Sequence, residues 1–133
     1  MYHGNFERAD LGPVITDKDL GQLETRLQQQ GEPTPTTGAI ARAVATFNRY
    51  AARYLVDDDL AKRLIAVVVV YYLYERLGSV PPIRQKAYDD GMSELRAIRD
   101  GKFPDIALDV NAPAEESAPA PGRFGSRRRF ETR

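Results

Sequence analysis

The chain has 133 residues, no cysteine, and 19 Lys+Arg against 19 Asp+Glu, which gives a formal net charge of zero. This length indicates one domain that folds without disulfides or metal, and the lack of cysteine excludes thiolate sites. A dedicated nucleic-acid binder usually has a basic excess, which this chain lacks. We expect no secretory signal and no membrane partner, because the most apolar run, residues 64–74, is shorter than the ~20 residues of a membrane span.

Residues 1–15 are predicted to form an N-terminal arm, and the first of four helices follows it. Thr16 is a suitable N-cap, and Asp19 three residues later completes a variant of the capping box. Apolar residues then recur at helical spacing at Leu20, Leu23 and Leu27. Gly31 is typical of a helix end, so the sequence predicts a helix between these signals.

The second helix is predicted to begin at about Ala39, after a loop over residues 32–38 that contains Pro33 and Pro35. One apolar stripe defines it, with steps of four and three residues, at Ile40, Val44, Phe47, Ala51 and Tyr54. This is the clearest helical periodicity in the chain.

The third helix begins at three acids, Asp57–Asp59, which complement the positive end of a helix dipole. Its four consecutive valines favour a strand locally, but the spacing of the larger apolar residues predicts a helix. Those residues are Leu60, Leu64, Val67, Tyr71 and Tyr74. A helix that is apolar on nearly every side is central or also faces a neighbouring subunit. We therefore take Val69, Tyr72 and Leu73 as candidate subunit-contact residues.

The fourth helix follows a break at residues 79–82, where two prolines suit a first helical turn. Its predicted inner stripe consists of Ile83, Ala87, Gly91, Leu95 and Ile98. Glycine in mid-helix costs about 1 kcal/mol relative to alanine, so we expect another backbone to lie close to Gly91. The helical domain thus spans residues 16–101, and alternating apolar residues predict an extended arm over 102–111. The expected fold is a small all-α bundle of about four helices with extended N- and C-terminal arms.

Residues 112–133 form a Pro/Ala-rich linker followed by an Arg/Phe-rich tail. The candidate contact residues of the tail are two aromatic anchors and three arginines: Phe124, Arg127, Arg128, Arg129 and Phe130. They could stack on single-stranded nucleic acid, dock on an acidic and partly apolar groove of a partner protein, or only solubilise the chain. Docking is the preferred interpretation, because acids interrupt the tail and its net charge is small.

The chain offers little for catalysis. Its one histidine, His3, lies at the terminus, and no phosphate-binding loop or hydrolase motif occurs. The acids Asp57–Asp59 are contiguous and have no further loop ligands, so they suit a helix N-terminus better than a cation site. We expect no catalytic, metal or cofactor site, and a protein that is not an enzyme.

Four stretches carry a resemblance to a known family: FNRYAARYL at 47–55, VYYLY at 70–74, PPIRQKAY at 81–88 and LRAIRDGK at 95–102. In this order they resemble the small head–tail connector proteins, also called adaptor or head-completion proteins, of Mu-like phages and prophages. The similarity covers about residues 15–110. The chain departs from the family at residues 56–59, where an acidic stretch replaces an expected proline-containing loop.

The resemblance implies a virion protein of the head–tail neck that is assembled in the host cytoplasm. Such subunits form a ring, commonly a dodecamer, beneath the portal protein, and they extend the channel through which genome DNA passes without sequence-specific binding. They also contact head-closure or tail-terminator proteins. Two alternatives remain open: a helical nucleic-acid-binding module that uses the Arg-rich tail, and a small regulator that binds a host protein.

Overall fold

The helical periodicity of the sequence produces four α-helices in a computed structural model, which describes residues 2–104 and 106–108. The helices of this described part are α1 (Asp17–Gln29), α2 (Pro35–Ala51), α3 (Asp58–Leu77) and α4 (Pro82–Arg99), preceded by a 3-10 helix over Arg8–Leu11. Two short strands, β1 (Tyr54–Leu55) and β2 (Ala107–Leu108), pair as an antiparallel ribbon. The prediction of a small all-α bundle is confirmed.

Helix ends follow local chemistry, with one correction to the sequence-based boundaries. The Thr16 side chain accepts a hydrogen bond from the backbone amide of Asp19 at 3.2 Å, and Asp57 caps α3 in the same way. Helix α2 begins at Pro35 rather than Ala39, because a proline fits the first turn, where its missing N–H has no helical partner. The predicted loop over residues 32–38 is therefore shorter.

Helix α3 lies at the centre of the core and packs against α1, α2, α4 and the 3-10 helix. Its most deeply buried side chains are Leu64, Ile65, Val68, Val69, Val70 and Leu73. The four valines stay helical because burial on all sides outweighs their local strand preference, which is small and depends on context.

The N-terminal segment is not a free arm. Tyr2, Phe6 and Leu11 are buried in the same core as the helices. The Tyr2 backbone N–H donates to Asn48 Oδ1 at 2.7 Å, and Asn48 Nδ2 donates back to the Tyr2 carbonyl at 3.3 Å. The expectation of an extended arm over residues 1–15 is corrected for the described part of this segment, because its apolar residues pack on the body of the same chain.

Helix α4 buries Gly91, Leu95 and Ile98 of its predicted stripe, but not Ile83 in its first turn. Ile83 is 74% exposed, and the buried positions are Gly91, Met92, Leu95 and Ile98. A Cβ on Gly91 would lie 3.5 Å from Val67 Cγ1 of α3, so side chains approach this glycine and the predicted backbone does not.

The ribbon joins the end of α2 to the chain that follows α4. Tyr54 pairs with Leu108 and Leu55 pairs with Ala107. Tyr54 therefore lies in β1, although its spacing placed it on the stripe of α2, which ends at Ala51. The predicted extended segment is strand at residues 107–108, and residues 109–111 of that arm lie outside the described part.

Candidate interaction surfaces

The three predicted contact residues of α3 are buried inside their own subunit. Val69 and Leu73 have no exposed surface, and Tyr72 is 6% exposed. Their assignment as subunit-contact residues is corrected to a role in the core, because the N-terminal segment and three helices already cover α3. A sequence cannot distinguish burial by the same chain from burial by a neighbour when the covering segment has no helical periodicity.

Tyr72 lies in a small group of polar contacts between α2 and α3. Its hydroxyl lies 2.9 Å from Thr46 Oγ1, and the Arg42 guanidinium stands 3.9 Å from the centre of its ring. Arg42 also forms an ion pair of 3.3 Å with Glu75. These contacts satisfy the buried hydroxyl, as a tyrosine at a core boundary requires, and they join the two helices.

A second tyrosine pair joins α3 to α4. The rings of Tyr71 and Tyr88 are stacked, with centroids 3.7 Å apart and planes 14° from parallel. Burial raises the pKa of Tyr88, with smaller contributions from neighbouring tyrosines and from Glu75. The tyrosine-rich end of α3 therefore packs against α4 within the bundle.

Large apolar side chains are exposed at two separate places in the described part of the chain. Ile83 is 74% exposed in the first turn of α4, and Leu55 and Leu108 of the ribbon are 56% and 55% exposed. The ribbon lies near the other end of α4, because a Cβ on Gly101 would come within 2.9 Å of the Tyr54 hydroxyl. An 18-residue helix is about 27 Å long, so Ile83 and the two ribbon leucines are exposed near opposite ends of α4. Sequence reasoning missed both, since exposure depends on how the helices are rotated.

A groove of about 500 Å³ separates the N-terminal segment from α3. Small apolar residues line it, and charged residues stand beside them; the full lining is Ala9, Asp10, Pro13, Val14, Asp59, Lys62, Arg63 and Ala66. We call this the α3 groove. No sequence signal could reveal it, because its two walls come from segments about fifty residues apart.

A second cavity, of about 390 Å³, lies at the start of α2 and is lined by the partly buried carboxylate of Glu24. Arg8 donates to Glu24 at 2.8 Å, and the Thr36 hydroxyl donates to the same carboxylate. The hydrogen bond from Arg8 is the main reason that the pKa of Glu24 is lowered. This network fastens the 3-10 helix to α1 and α2, so its role is structural.

The remaining predicted contact residues lie outside the described part of the chain: Phe124, Arg127, Arg128, Arg129 and Phe130. Within residues 2–104 and 106–108, no group of three or more His, Cys, Asp or Glu side chains is placed to hold a metal ion. None of the described helices combines the length and apolar character needed to cross a bilayer. The described surface therefore offers apolar ends and grooves for contacts.

A family model described as Bacteriophage Mu, Gp36 matches residues 6–125 of the chain. Searches of curated proteins and of solved structures gave no match. The match covers most of the 133 residues and includes all four helices and both strands. The chain is thus a phage protein that belongs to the Bacteriophage Mu Gp36 family.

Proposed function

We propose that this protein is a non-catalytic subunit of a ring in the phage neck, where it joins the portal of the filled head to head-closure or tail-terminator proteins. The observation that supports the proposal is the exposure of Ile83 and of the ribbon leucines near opposite ends of α4, on a chain that belongs to a phage Mu family. A connector must hold two different neighbours, and these separate exposed side chains offer a point of contact for each.

The patch at Ile83 is small and lies on a rigid helical turn between Pro82 and Arg84, and the Arg84 guanidinium donates to the Val14 carbonyl at 2.8 Å. The ribbon exposes Leu55 and Leu108 on opposite faces, because Leu108 pairs with Tyr54 and Leu55 pairs with Ala107. We propose that each end binds a different neck protein.

Self-assembly into a ring, most simply a dodecamer, is part of the proposal. A closed ring uses a heterologous interface, in which two different surfaces of one subunit meet. The balanced charge of the chain suits a channel wall along which genome DNA slides without specific binding. The site of action would be the neck of the virion, after assembly in the host cytoplasm.

Electron microscopy and native mass spectrometry of the purified protein, alone and with its portal, test this function. We expect closed rings, alone or once portal is added, and a ring mass that is an integer multiple of the subunit mass. A protein that stays monomeric under both conditions and does not bind portal would refute the proposal.

Ile83→Asp and Leu55→Asp separate the two ends. Each should remove binding to one neck partner and spare the other, while Ser93→Asp, at an exposed position of α4, serves as the control. Loss of both partners with either variant would mean that the two ends do not act separately.

A further inference from the structure

The α3 groove has an apolar floor and an acidic rim. Ala9, Pro13, Val14 and Ala66 supply the apolar surface. Lys62 and Arg63 line the groove, but Lys62 pairs with Asp10 at 3.4 Å and Arg63 pairs with Glu94 at 2.7 Å. Both cations are therefore already paired with acids of the chain.

Three acids stand where α3 begins, and Asp59 of these lines the groove. Asp58 pairs with Lys62 at 3.8 Å, whereas Asp57 and Asp59 form no ion pair with any described residue. All three side chains are exposed. The groove thus suits an occupant that carries apolar side chains together with several positive charges.

The chain itself contains such a segment. Residues 123–133 carry five arginines against one glutamate, with Phe124 and Phe130 on either side of three consecutive arginines. We propose that the α3 groove binds residues 123–133 of a second copy of this chain, with a phenylalanine ring on the apolar floor and arginines beside Asp57–Asp59. This inference rests on the self-assembly proposed above and assigns one of its contacts.

The connecting residues favour a second copy over the same copy. Residues 109–122 contain three acids and three prolines, and a chain of this length can span roughly 43 Å when extended. They follow β2, whose partner β1 ends two residues before Asp57. An acidic linker that turned toward its own groove would pass these acids and be repelled by them.

Disulfide trapping tests the contact in the full-length chain, which has no cysteine of its own. Ser126→Cys places a thiol in the tail, and Ala9→Cys places another at an exposed residue that lines the groove. Under mild oxidation the double variant should form covalent dimers and larger ladders on a non-reducing gel. The matched control pairs Ser126→Cys with Ser93→Cys, which is exposed on α4 and does not line the groove.

A charge swap tests the chemistry of the contact. The groove variant Asp58→Arg/Asp59→Arg and the tail variant Arg127→Glu/Arg128→Glu/Arg129→Glu should each reduce trapping at least tenfold, and their combination in one chain should restore it. The matched control, Asp89→Arg/Asp90→Arg, changes the charge of α4 equally and should leave trapping unchanged. Circular dichroism checks that each variant folds.

Three outcomes would overturn the inference. Trapping only within one chain would show that the tail binds its own groove. Equal trapping with the control cysteine would show no specific contact. A tail that is trapped on portal or protected by DNA, but not on Ala9, would place it on another macromolecule. If rings still form in any of these cases, the proposed function stands and only the assigned contact fails; absence of rings refutes the function as well.

Discussion

Leu73→Ala separates a core role from a subunit-contact role for α3. Leu73 has no exposed surface in the single subunit. The substitution removes three carbons, which costs about 2.4 kcal/mol at about 0.8 kcal/mol per buried CH₂, and the cavity left behind adds to this. We therefore expect the free energy of unfolding to fall by about 3 kcal/mol. In a domain of this size that lowers Tm by roughly 12 °C or more.

Urea unfolding followed by far-UV circular dichroism measures this loss, and a dilution series separates unfolding from dissociation. Ile83→Ala is the matched control, because it shortens an aliphatic side chain that is 74% exposed. Its free energy of unfolding should change by no more than about 0.5 kcal/mol. A large loss for Leu73→Ala at every protein concentration, with none for Ile83→Ala, identifies Leu73 as a core residue.

The opposite result would refute the reasoning from burial. If Leu73→Ala kept its Tm in dilute solution and lost only ring assembly, the side chain would have to be exposed in the free subunit. Helix α3 would then require a neighbouring chain for its cover, and the packing of the N-terminal segment on the core would be wrong.

Three further outcomes follow from other parts of the molecule. Gly91→Ala should raise the free energy of unfolding by about 0.5–1 kcal/mol in urea titration, because the new methyl group meets Val67 at an ordinary 3.5 Å. The pKa of Glu24 is lowered in the folded state. The stability that Glu24 contributes is therefore present above the pKa of an unfolded glutamate and is lost as pH falls through its folded pKa. Glu24→Gln should make the loss of stability with falling pH less steep in that range. Deletion of residues 112–133 should leave the Tm of the body nearly unchanged and weaken assembly. Phe130→Ala should weaken assembly more than Arg129→Ala, since single exposed charges contribute little. Analytical ultracentrifugation measures the assembly of these variants; if the deletion left assembly intact and abolished DNA binding, the tail would be a nucleic-acid contact.

The helices were predictable from the sequence because their apolar spacing and caps are local signals. The N-cap at Thr16 and the acids before α3 lie where the sequence placed them. The start of α2 was wrong by four residues, since Pro33 and Pro35 together read as a loop although the second opens the helix. The sequence alone cannot decide which of the two prolines begins the helix.

The segment that covers α3 could not be predicted from apolar spacing and helix caps. Its residues Tyr2, Phe6, Leu11 and Ile15 follow steps of four and five, which fit no regular element. That weak spacing was the only sign that the N-terminal segment packs on the body. If the N-terminal segment is not counted, α3, which is apolar on nearly every side, has too few partners within the chain. A neighbouring subunit then becomes the natural but incorrect explanation for why Val69 and Leu73 are apolar.

Burial of α3 within one subunit also changes how assembly would proceed under the proposed function. A core completed by the chain's own N-terminal segment needs no neighbour to fold, so subunits would enter the neck already folded. Contacts with other subunits then fall to surfaces outside the core: the Ile83 turn and the ribbon for other neck proteins, and the α3 groove for a second copy. Each of these surfaces is small, and an interface of stable size needs roughly 1,200 Å² or more of total buried surface. Several small contacts per subunit, closed around a ring and reinforced by a tail that reaches the next copy, can supply through multivalency the strength that no single patch provides.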